Sequence, residues 1–161
     1  MTIKVGDHLP EAKFRVMTGE GPQVKTTDDI FKGKKVALFA VPGAYTNTCH
    51  KMHMPSVFQN AAAIKAKGVD TIAVVSVNDV FVMKAWQRDT DMNSEGLYLA
   101  DGNGEFTKAI GMEFDGSGNG LGTRSKRYSM LVEDGVVKKL NVEDSPGKVD
   151  VSGGDTLLGQ L

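Results

Sequence analysis

One cysteine of this chain has neighbours of the types and spacing that thiol chemistry requires. Cys49 follows Pro42 and Thr46 in a segment that comes directly after an apolar run. The run predicts a buried strand and the residues beyond it open a helix, so we expect Cys49 in or near the first helical turn. Unpaired backbone N–H groups and the helix dipole at that position favour a thiolate over a thiol. Cys49 is therefore a candidate nucleophile.

Thr46 stands where a thioredoxin-type dithiol motif has a second cysteine. Its hydroxyl can cap the helix, or it can donate a hydrogen bond to a thiolate or to a bound oxygen ligand. Because Cys49 is the single cysteine of the chain, an intramolecular disulfide cycle is excluded. A chain whose fold contains no intramolecular disulfide is typical of a reducing compartment, and we expect a cytoplasmic protein.

The composition excludes several classes of protein. The chain has 161 residues, of which 40% are hydrophobic, and 19 Lys+Arg against 20 Asp+Glu give a net charge of −1. The length predicts a single domain over residues 1–161. The charge balance argues against a nucleic-acid partner, and no apolar run approaches the roughly 18 residues of a membrane span. The first seven residues contain no apolar stretch of the kind a secretory signal needs.

Hydrophobic periodicity predicts alternating strands and helices. The expected strands are 34–41, 69–77 and 97–100, with a hairpin of 128–133 and 136–142, and the expected helices are 54–68, 79–86, 106–110 and 155–161. Pro55 should kink the first helix near Met52 or remove one hydrogen bond. Parallel βαβ units followed by an antiparallel hairpin form the skeleton of an α/β thioredoxin fold. An N-terminal extension, with room for its own hairpin, and a glycine-rich loop at 115–122 are additions to it.

The chain resembles the type-5 subfamily of the peroxiredoxins over essentially its whole length. The family hallmark Pro-x-x-x-Thr-x-x-Cys is present as Pro42, Thr46 and Cys49. Further blocks look like the same subfamily, namely Val41–Ala44, Lys67–Asp70, Ser76–Asp79, Ala100–Phe106 and Arg124–Met130. Asn47 departs from the pattern, because many relatives have a second proline there, and we expect little consequence at this variable position.

The resemblance implies roles for individual residues. The family's catalytic arginine corresponds to Arg127, directly before a strand, whereas Arg124 is a weaker competitor in the preceding loop. Pro42 is expected to shield Cys49, while Thr46 and Arg127 orient a hydroperoxide and stabilise charge. The implied reaction gives a cysteine sulfenic acid, which an external thiol such as glutathione with glutaredoxin, or thioredoxin, reduces. No cofactor is implied, and relatives suggest a homodimer that uses the segment 79–86.

Other interpretations of the same residues remain open at this stage. A glutathione-dependent thiol transferase and a redox-silent thioredoxin-fold binding module are the alternatives to a peroxidase. A metal site is disfavoured, because Cys49, His50 and His53 leave only His8 as a fourth ligand without recognisable spacing. We expect His53 to line the pocket entrance or to pack without a catalytic role.

Overall fold

The computed structural model describes residues 2–161. Its strands are β1 Lys13–Thr18, β2 Gly21–Thr26, β3 Lys35–Ala40, β4 Thr71–Ser76, β5 Gly96–Ala100, β6 Glu113–Asp115, β7 Thr123–Ser125, β8 Tyr128–Glu133 and β9 Val136–Val142. Its α-helices are α1 Thr27–Phe31, α2 Met54–Gln59, α3 Ala61–Ala66, α4 Val80–Thr90, α5 Glu105–Ala109 and α6 Gly154–Gly159. A π-helical turn, Cys49–His53, runs directly into α2.

Seven strands form one mixed sheet in the order β2-β1-β5-β4-β3-β8-β9. Strands β3, β4 and β5 are parallel, whereas β8 runs antiparallel to β3 and β9 antiparallel to β8. The carboxyl ends of the three parallel strands therefore meet at one edge of the sheet, which is where open α/β sheets usually bind ligands. The α/β thioredoxin-like fold expected from the sequence is confirmed.

The sheet is covered on both faces, which explains why its central strands are apolar throughout. In β3 and the residue after it, Val36, Leu38 and Ala40 pack into one core cluster, and the alternate residues into another. Helices α1 and α5 contribute to the first cluster. Helices α2, α3, α4 and α6 contribute to the second, and this second cluster contains Cys49.

The expected elements occur in the expected order, but α1, β6 and β7 were not expected, and several boundaries differ. The helix expected over 54–68 is broken at Asn60, whose side-chain amide donates to the carbonyl of Ser56 and leaves α2 and α3 as separate helices. Helix α4 continues to Thr90 instead of ending at Trp86. The N-terminal extension does form a hairpin, β1–β2, which pairs with the edge of β5. Within residues 2–161, no helix is both long and apolar enough to cross a membrane.

Pro55 has the local effect that the sequence predicts, in the form of a π turn. The amide of Met54 bonds to the carbonyl of Cys49, five residues back. A regular α-helix would instead press the proline ring against the carbonyl four residues before it. The wider turn relieves that clash, and both Cys49 and His53, its first and last residues, are buried.

The glycine-rich segment is more ordered than the loop expected there. Strands β6 and β7 pair antiparallel, with Phe114 opposite Arg124, and a short 3₁₀ turn at Ser117–Asn119 connects them. Arg124 therefore lies in a strand, and its expected loop position is wrong. The hairpin packs beside the carboxyl edge of the main sheet, where its side chains reach the segment that follows β3.

Candidate active site

The pairing of β3 with β8 brings the segment that contains Cys49 close to Arg127. Ala40, the last residue of β3, lies opposite Tyr128, the first residue of β8. Pro42 and the segment leading to Cys49 therefore leave the sheet beside Arg127. Residues 78 positions apart in sequence become neighbours through this register alone.

Cys49 is fully buried, and two donors contact its sulfur atom. The Thr46 hydroxyl lies 2.9 Å from Sγ, and Nη2 of Arg127 lies 3.0 Å from it. The threonine hydroxyl is also 2.6 Å from the carbonyl of Gly43, and its one proton can serve only one acceptor at a time. Both contacts direct a hydrogen-bond donor at the sulfur atom. Of the two roles considered for Thr46, contact with Cys49 is the one present.

Arg127 is 1% exposed, which is unusual for a side chain that is always charged. Its Nε and Nη2 donate to the carbonyl of Pro146 at 3.1 and 2.9 Å, and its Nη1 lies 2.9 Å from Nδ1 of His53. The rigid guanidinium plane is thus fixed on three sides, and one corner points at Cys49. The sequence placed Arg127 correctly before a strand, but it gave no sign of these supporting acceptors.

His53 is fully buried beside Arg127, so of the two positions expected for it, packing in the interior is the one observed and lining the pocket entrance is not. Burial, together with the positive charge of Arg127, lowers the pKa of His53 to about 3, so the ring is neutral. Its Nε2 lies 2.8 Å from the carbonyl of Ser152, a pure acceptor, so the proton must be on Nε2. Nδ1 then has a free lone pair for Arg127. The spacing from Cys49 was the one sequence signal that pointed to this residue.

Glu143 holds the segment that supplies the Ser152 carbonyl. One oxygen of its carboxylate accepts from the amide of Val151 and from both the amide and hydroxyl of Ser152, at 2.7–2.8 Å. Burial raises the pKa of Glu143, but the hydrogen bonds from Ser152 and the backbone outweigh it and leave the pKa below its usual range. The charged carboxylate is therefore the stable form, and sequence reasoning missed this residue.

A pocket of about 190 Å³ leads to Arg127 from the surface. Its walls include Pro42 and Thr46 from the segment before Cys49, and Phe114 and Leu121 from the β6–β7 hairpin. Most of this lining is apolar, and Thr46 and Arg127, which contact Cys49, contribute polar groups to it. The arrangement suits a small molecule that has a reactive oxygen at one end and a hydrocarbon group at the other.

Arg124 supports the outer part of the site. Its Nε donates to the carbonyl of Leu121 at 2.9 Å, and its Nη1 donates to the carbonyl of Pro42 at 3.3 Å. A Cβ atom on Gly43 would lie only 2.6 Å from Nη1, so glycine is required for this close approach. Arg124 thus holds the backbone that positions Pro42, and no bond joins it to Cys49 among the hydrogen bonds of residues 2–161.

The turn before Cys49 is fixed by three further contacts. The amide of Ala44 donates to the side chain of Asn78, which extends from the carboxyl end of the neighbouring strand β4. Tyr45 has a φ of 62°, which is costly for a residue with a side chain. Its hydroxyl donates to Asp89 on α4 at 2.6 Å, and its ring stacks on that of His50. These contacts hold the strained turn in place.

The metal site disfavoured from the sequence finds no support in the geometry. Residues 2–161 contain no group of three or more His, Cys, Asp or Glu side chains arranged to hold a metal ion. Both ring nitrogens of His53 are engaged by protein groups, so it has no lone pair to offer a metal. His50 likewise uses Nδ1 to accept from the indole N–H of Trp86.

Comparison with known proteins assigns the chain to a family. The sequence pattern of the Redoxin family matches residues 4–158. Peroxiredoxin-2C of Oryza sativa subsp. japonica is 44% identical, over 99% of this chain and 98% of its own length. The chain is a peroxiredoxin of the Redoxin family. The resemblance identified from its sequence is therefore confirmed.

Two further proteins extend the comparison. The hybrid peroxiredoxin hyPrx5 of Haemophilus influenzae is 44% identical, over 100% of this peroxiredoxin and 67% of its own length. Reduced Prx3 of Vibrio vulnificus, solved in complex with H2O2, is 48% identical and superposes with a TM-score of 0.94 over 99% of each chain. This peroxiredoxin is accordingly a thiol peroxidase, an enzyme that reduces a peroxide at the expense of a thiol.

Acidification is expected to destabilise this peroxiredoxin through His53. An unfolded histidine binds a proton below a pKa of about 6.5, whereas the folded ring stays neutral down to about 3. Between these values the unfolded state binds more protons, so the free energy of unfolding falls by up to about 1.4 kcal/mol per pH unit as the pH drops. Urea unfolding of the wild type and of His53→Gln, from about pH 7 to about pH 5, measures this difference. Equal slopes in the two proteins would contradict it, because His8 and His50 are present in both.

Proposed function

We propose that Cys49 is the nucleophile of this thiol peroxidase and that Thr46 and Arg127 are the groups that activate a hydroperoxide beside it. The observation that carries the proposal is the contact of both side chains with Cys49 Sγ, at 2.9 and 3.0 Å, together with the pocket that both side chains line. A redox-silent binding module has no need for a buried sulfur with two aligned donors. The N–H and O–H donors of Arg127 and Thr46 also suit a peroxide oxygen better than the sulfur atom of a disulfide substrate.

In the first step, the Cys49 thiolate attacks one peroxide oxygen in line with the O–O bond. The S–O bond forms as the O–O bond breaks, which gives the sulfenic acid and an alkoxide or hydroxide that takes up a proton. Negative charge moves from sulfur to the leaving oxygen, so donors around that oxygen lower the barrier. Arg127 and Thr46 can turn from sulfur to oxygen with little movement, and Pro42 excludes competing water from the sulfur.

In the second step, an external thiol attacks the sulfenic sulfur and releases water, which leaves a mixed disulfide on Cys49. A second thiol then displaces it and regenerates the free cysteine, so two thiols are oxidised for each peroxide reduced. The chain has no second cysteine to resolve the intermediate. We therefore propose glutathione with glutaredoxin, or thioredoxin, as the reductant, and a reducing compartment such as the cytoplasm as the location.

The substrates that we propose are hydrogen peroxide and alkyl hydroperoxides. Hydrogen peroxide needs only the polar groups of Thr46 and Arg127, which line the pocket. The side chains of Phe114, Leu121 and Pro42 offer apolar contact for an alkyl group extending outward. Two of these three side chains lie in or beside the β6–β7 hairpin, which gives the glycine-rich segment a role in binding.

A homodimer is the assembly that we propose. Of the apolar residues in the segment 79–86, Met83 and Trp86 are buried, whereas Phe81 is 66% exposed. Tyr45 and Met52, on the segment around Cys49, are also large apolar side chains exposed to solvent. Exposed apolar side chains close to an active-site segment are typical of an interface between copies.

Arg127→Ala is expected to lower the second-order rate constant for hydrogen peroxide by about 10²–10³-fold, because it removes the donor that meets the leaving oxygen. Arg124→Ala is the matched control: it removes the same charge three residues away, and it should cost less than about tenfold. Stopped-flow measurement of the change in Trp86 fluorescence on oxidation gives both constants. The assignment is wrong if the two variants react at similar rates or if Arg124→Ala is the slower.

With peroxide alone, the wild type is expected to stop after about one equivalent and to accumulate oxygen on Cys49. Adding glutathione with glutaredoxin, or thioredoxin with its reductase, should restore turnover, whereas Cys49→Ser should remain inactive with every reductant. Intact-mass spectrometry with peptide mapping locates the oxygen, since the eight methionines can gain the same mass. Quantitative formation of a Cys49–Cys49 disulfide between chains would contradict the external-reductant cycle.

Analytical ultracentrifugation at micromolar concentration is expected to show a species of twice the monomer mass. Phe81→Glu should shift it to the monomer, because a carboxylate cannot be buried unpaired at an interface. Val24→Glu, on the edge strand β2, alters another exposed apolar residue and should leave the dimer intact. A wild type that sediments as a monomer in both the reduced and the oxidised state would refute the proposal.

A further inference from the structure

The groups behind Arg127 form a continuous hydrogen-bonded path that the two chemical steps above do not use. Nη1 of Arg127 donates to Nδ1 of His53, and Nε2 of His53 donates to the carbonyl of Ser152. Ser152 in turn donates its amide and its hydroxyl to Glu143. The backbone closes the path into a ring, because the amide of Glu143 donates to the carbonyl of Arg127 at 3.0 Å.

The tautomer of His53 decides whether this path can hold Arg127. With the proton on Nε2, the Nδ1 lone pair faces a guanidinium N–H, and the contact is attractive. With the proton on Nδ1, two N–H groups would face each other in a buried site, and Arg127 would lose this acceptor. The Ser152 carbonyl selects the first tautomer, since it can only accept a hydrogen bond.

The position of the Ser152 carbonyl depends in turn on Glu143. Residues 144–153 contain no helix or strand, so no regular hydrogen-bond ladder holds this part of the backbone. The carboxylate of Glu143 replaces such a ladder by accepting three hydrogen bonds from Val151 and Ser152 at once. Glu143 is 7% exposed, and one oxygen of its carboxylate accepts three hydrogen bonds from a single segment, so it is well suited to fix the geometry of that segment.

We propose that Glu143 is a positioning residue for the peroxide step, acting on Arg127 through Ser152 and His53. The carboxylate holds the Ser152 carbonyl, the carbonyl sets the His53 tautomer, and His53 fixes the guanidinium so that Nη2 meets the reacting atoms. This inference rests on the proposed function of Arg127. It goes beyond that function by assigning a role to a residue that does not contact Cys49.

The first test compares two reactions of Cys49 in Glu143→Ala, Glu143→Gln and the control Asp144→Asn. Asp144 is the adjacent acidic residue, and its side chain is 85% exposed. Glu143→Ala should lower the rate constant for hydrogen peroxide by about 10- to 100-fold, because a displaced guanidinium no longer meets the leaving oxygen. Alkylation by iodoacetamide also needs the thiolate but has no O–O bond to polarise, so its rate constant should fall by a clearly smaller factor than that for peroxide. Glu143→Gln keeps an acceptor oxygen and should recover most of the peroxide rate.

The second test reads the His53 ring directly, without any enzymatic assay. Nitrogen-15 NMR of the wild type should show a neutral ring with the proton on Nε2, and so should Asp144→Asn. In Glu143→Ala, the ring should show a mixture of tautomers. This measurement is independent of the proposed function. A wild type that does not reduce peroxide would refute the proposed function, but it would leave the effect of Glu143 on the His53 tautomer to be decided by the NMR spectra.

Several outcomes would overturn the inference. One is a Glu143→Ala protein that is folded and reduces peroxide as fast as Asp144→Asn. Another is a loss of stability in urea with an unchanged His53 spectrum, which would indicate a purely structural role. If Glu143→Ala does not fold, Ser152→Ala replaces it, since it removes only the hydroxyl donor to Glu143 and should give a smaller loss in the same direction.

Discussion

The burial of a permanent positive charge beside Cys49 is the constraint on which the rest of this structure depends. A guanidinium cannot lose its proton, so every N–H of Arg127 that leaves water needs an acceptor within the protein. The protein meets this demand with one backbone carbonyl, one neutral imidazole and one sulfur atom. Because the carbonyl and the imidazole are uncharged, they do not neutralise Arg127. Its positive charge therefore remains available to stabilise negative charge on Cys49 or on a peroxide oxygen beside it.

This requirement explains why the site draws on separate parts of the chain. The parallel strands supply the segment from Pro42 to Cys49 at their carboxyl edge, and the antiparallel strand β8 supplies Arg127 through its register with β3. The segment after β9 then covers the guanidinium and provides the Pro146 carbonyl. None of these pieces can form the site alone, since each depends on the sheet to hold it against the others.

The π turn links local sequence to this arrangement. Pro55 is incompatible with a regular helix at its position, and the widened turn that accommodates it begins at Cys49 and ends at His53, both of which are buried. A nucleophile and the group that fixes its neighbouring cation thus come from a single helical turn. The strained backbone at Tyr45, held by Asp89, brings the chain into that turn at the required angle.

The sequence by itself determined the order of the elements, the family and the identity of the main side chains. Apolar runs and turn residues mark the strands and helices locally, and the spacing of Pro42, Thr46 and Cys49 is visible without coordinates. The resemblance favoured Arg127 over Arg124, and the tertiary structure supplies the physical reason: Arg127 precedes β8, which pairs with the end of β3, whereas Arg124 lies in β7 of a separate hairpin. The tertiary structure alone decided the roles of His53 and Glu143, whose partners lie 99 and 9 residues away. Such contacts depend on how an irregular segment folds back onto the sheet, and no periodicity in the sequence encodes that path.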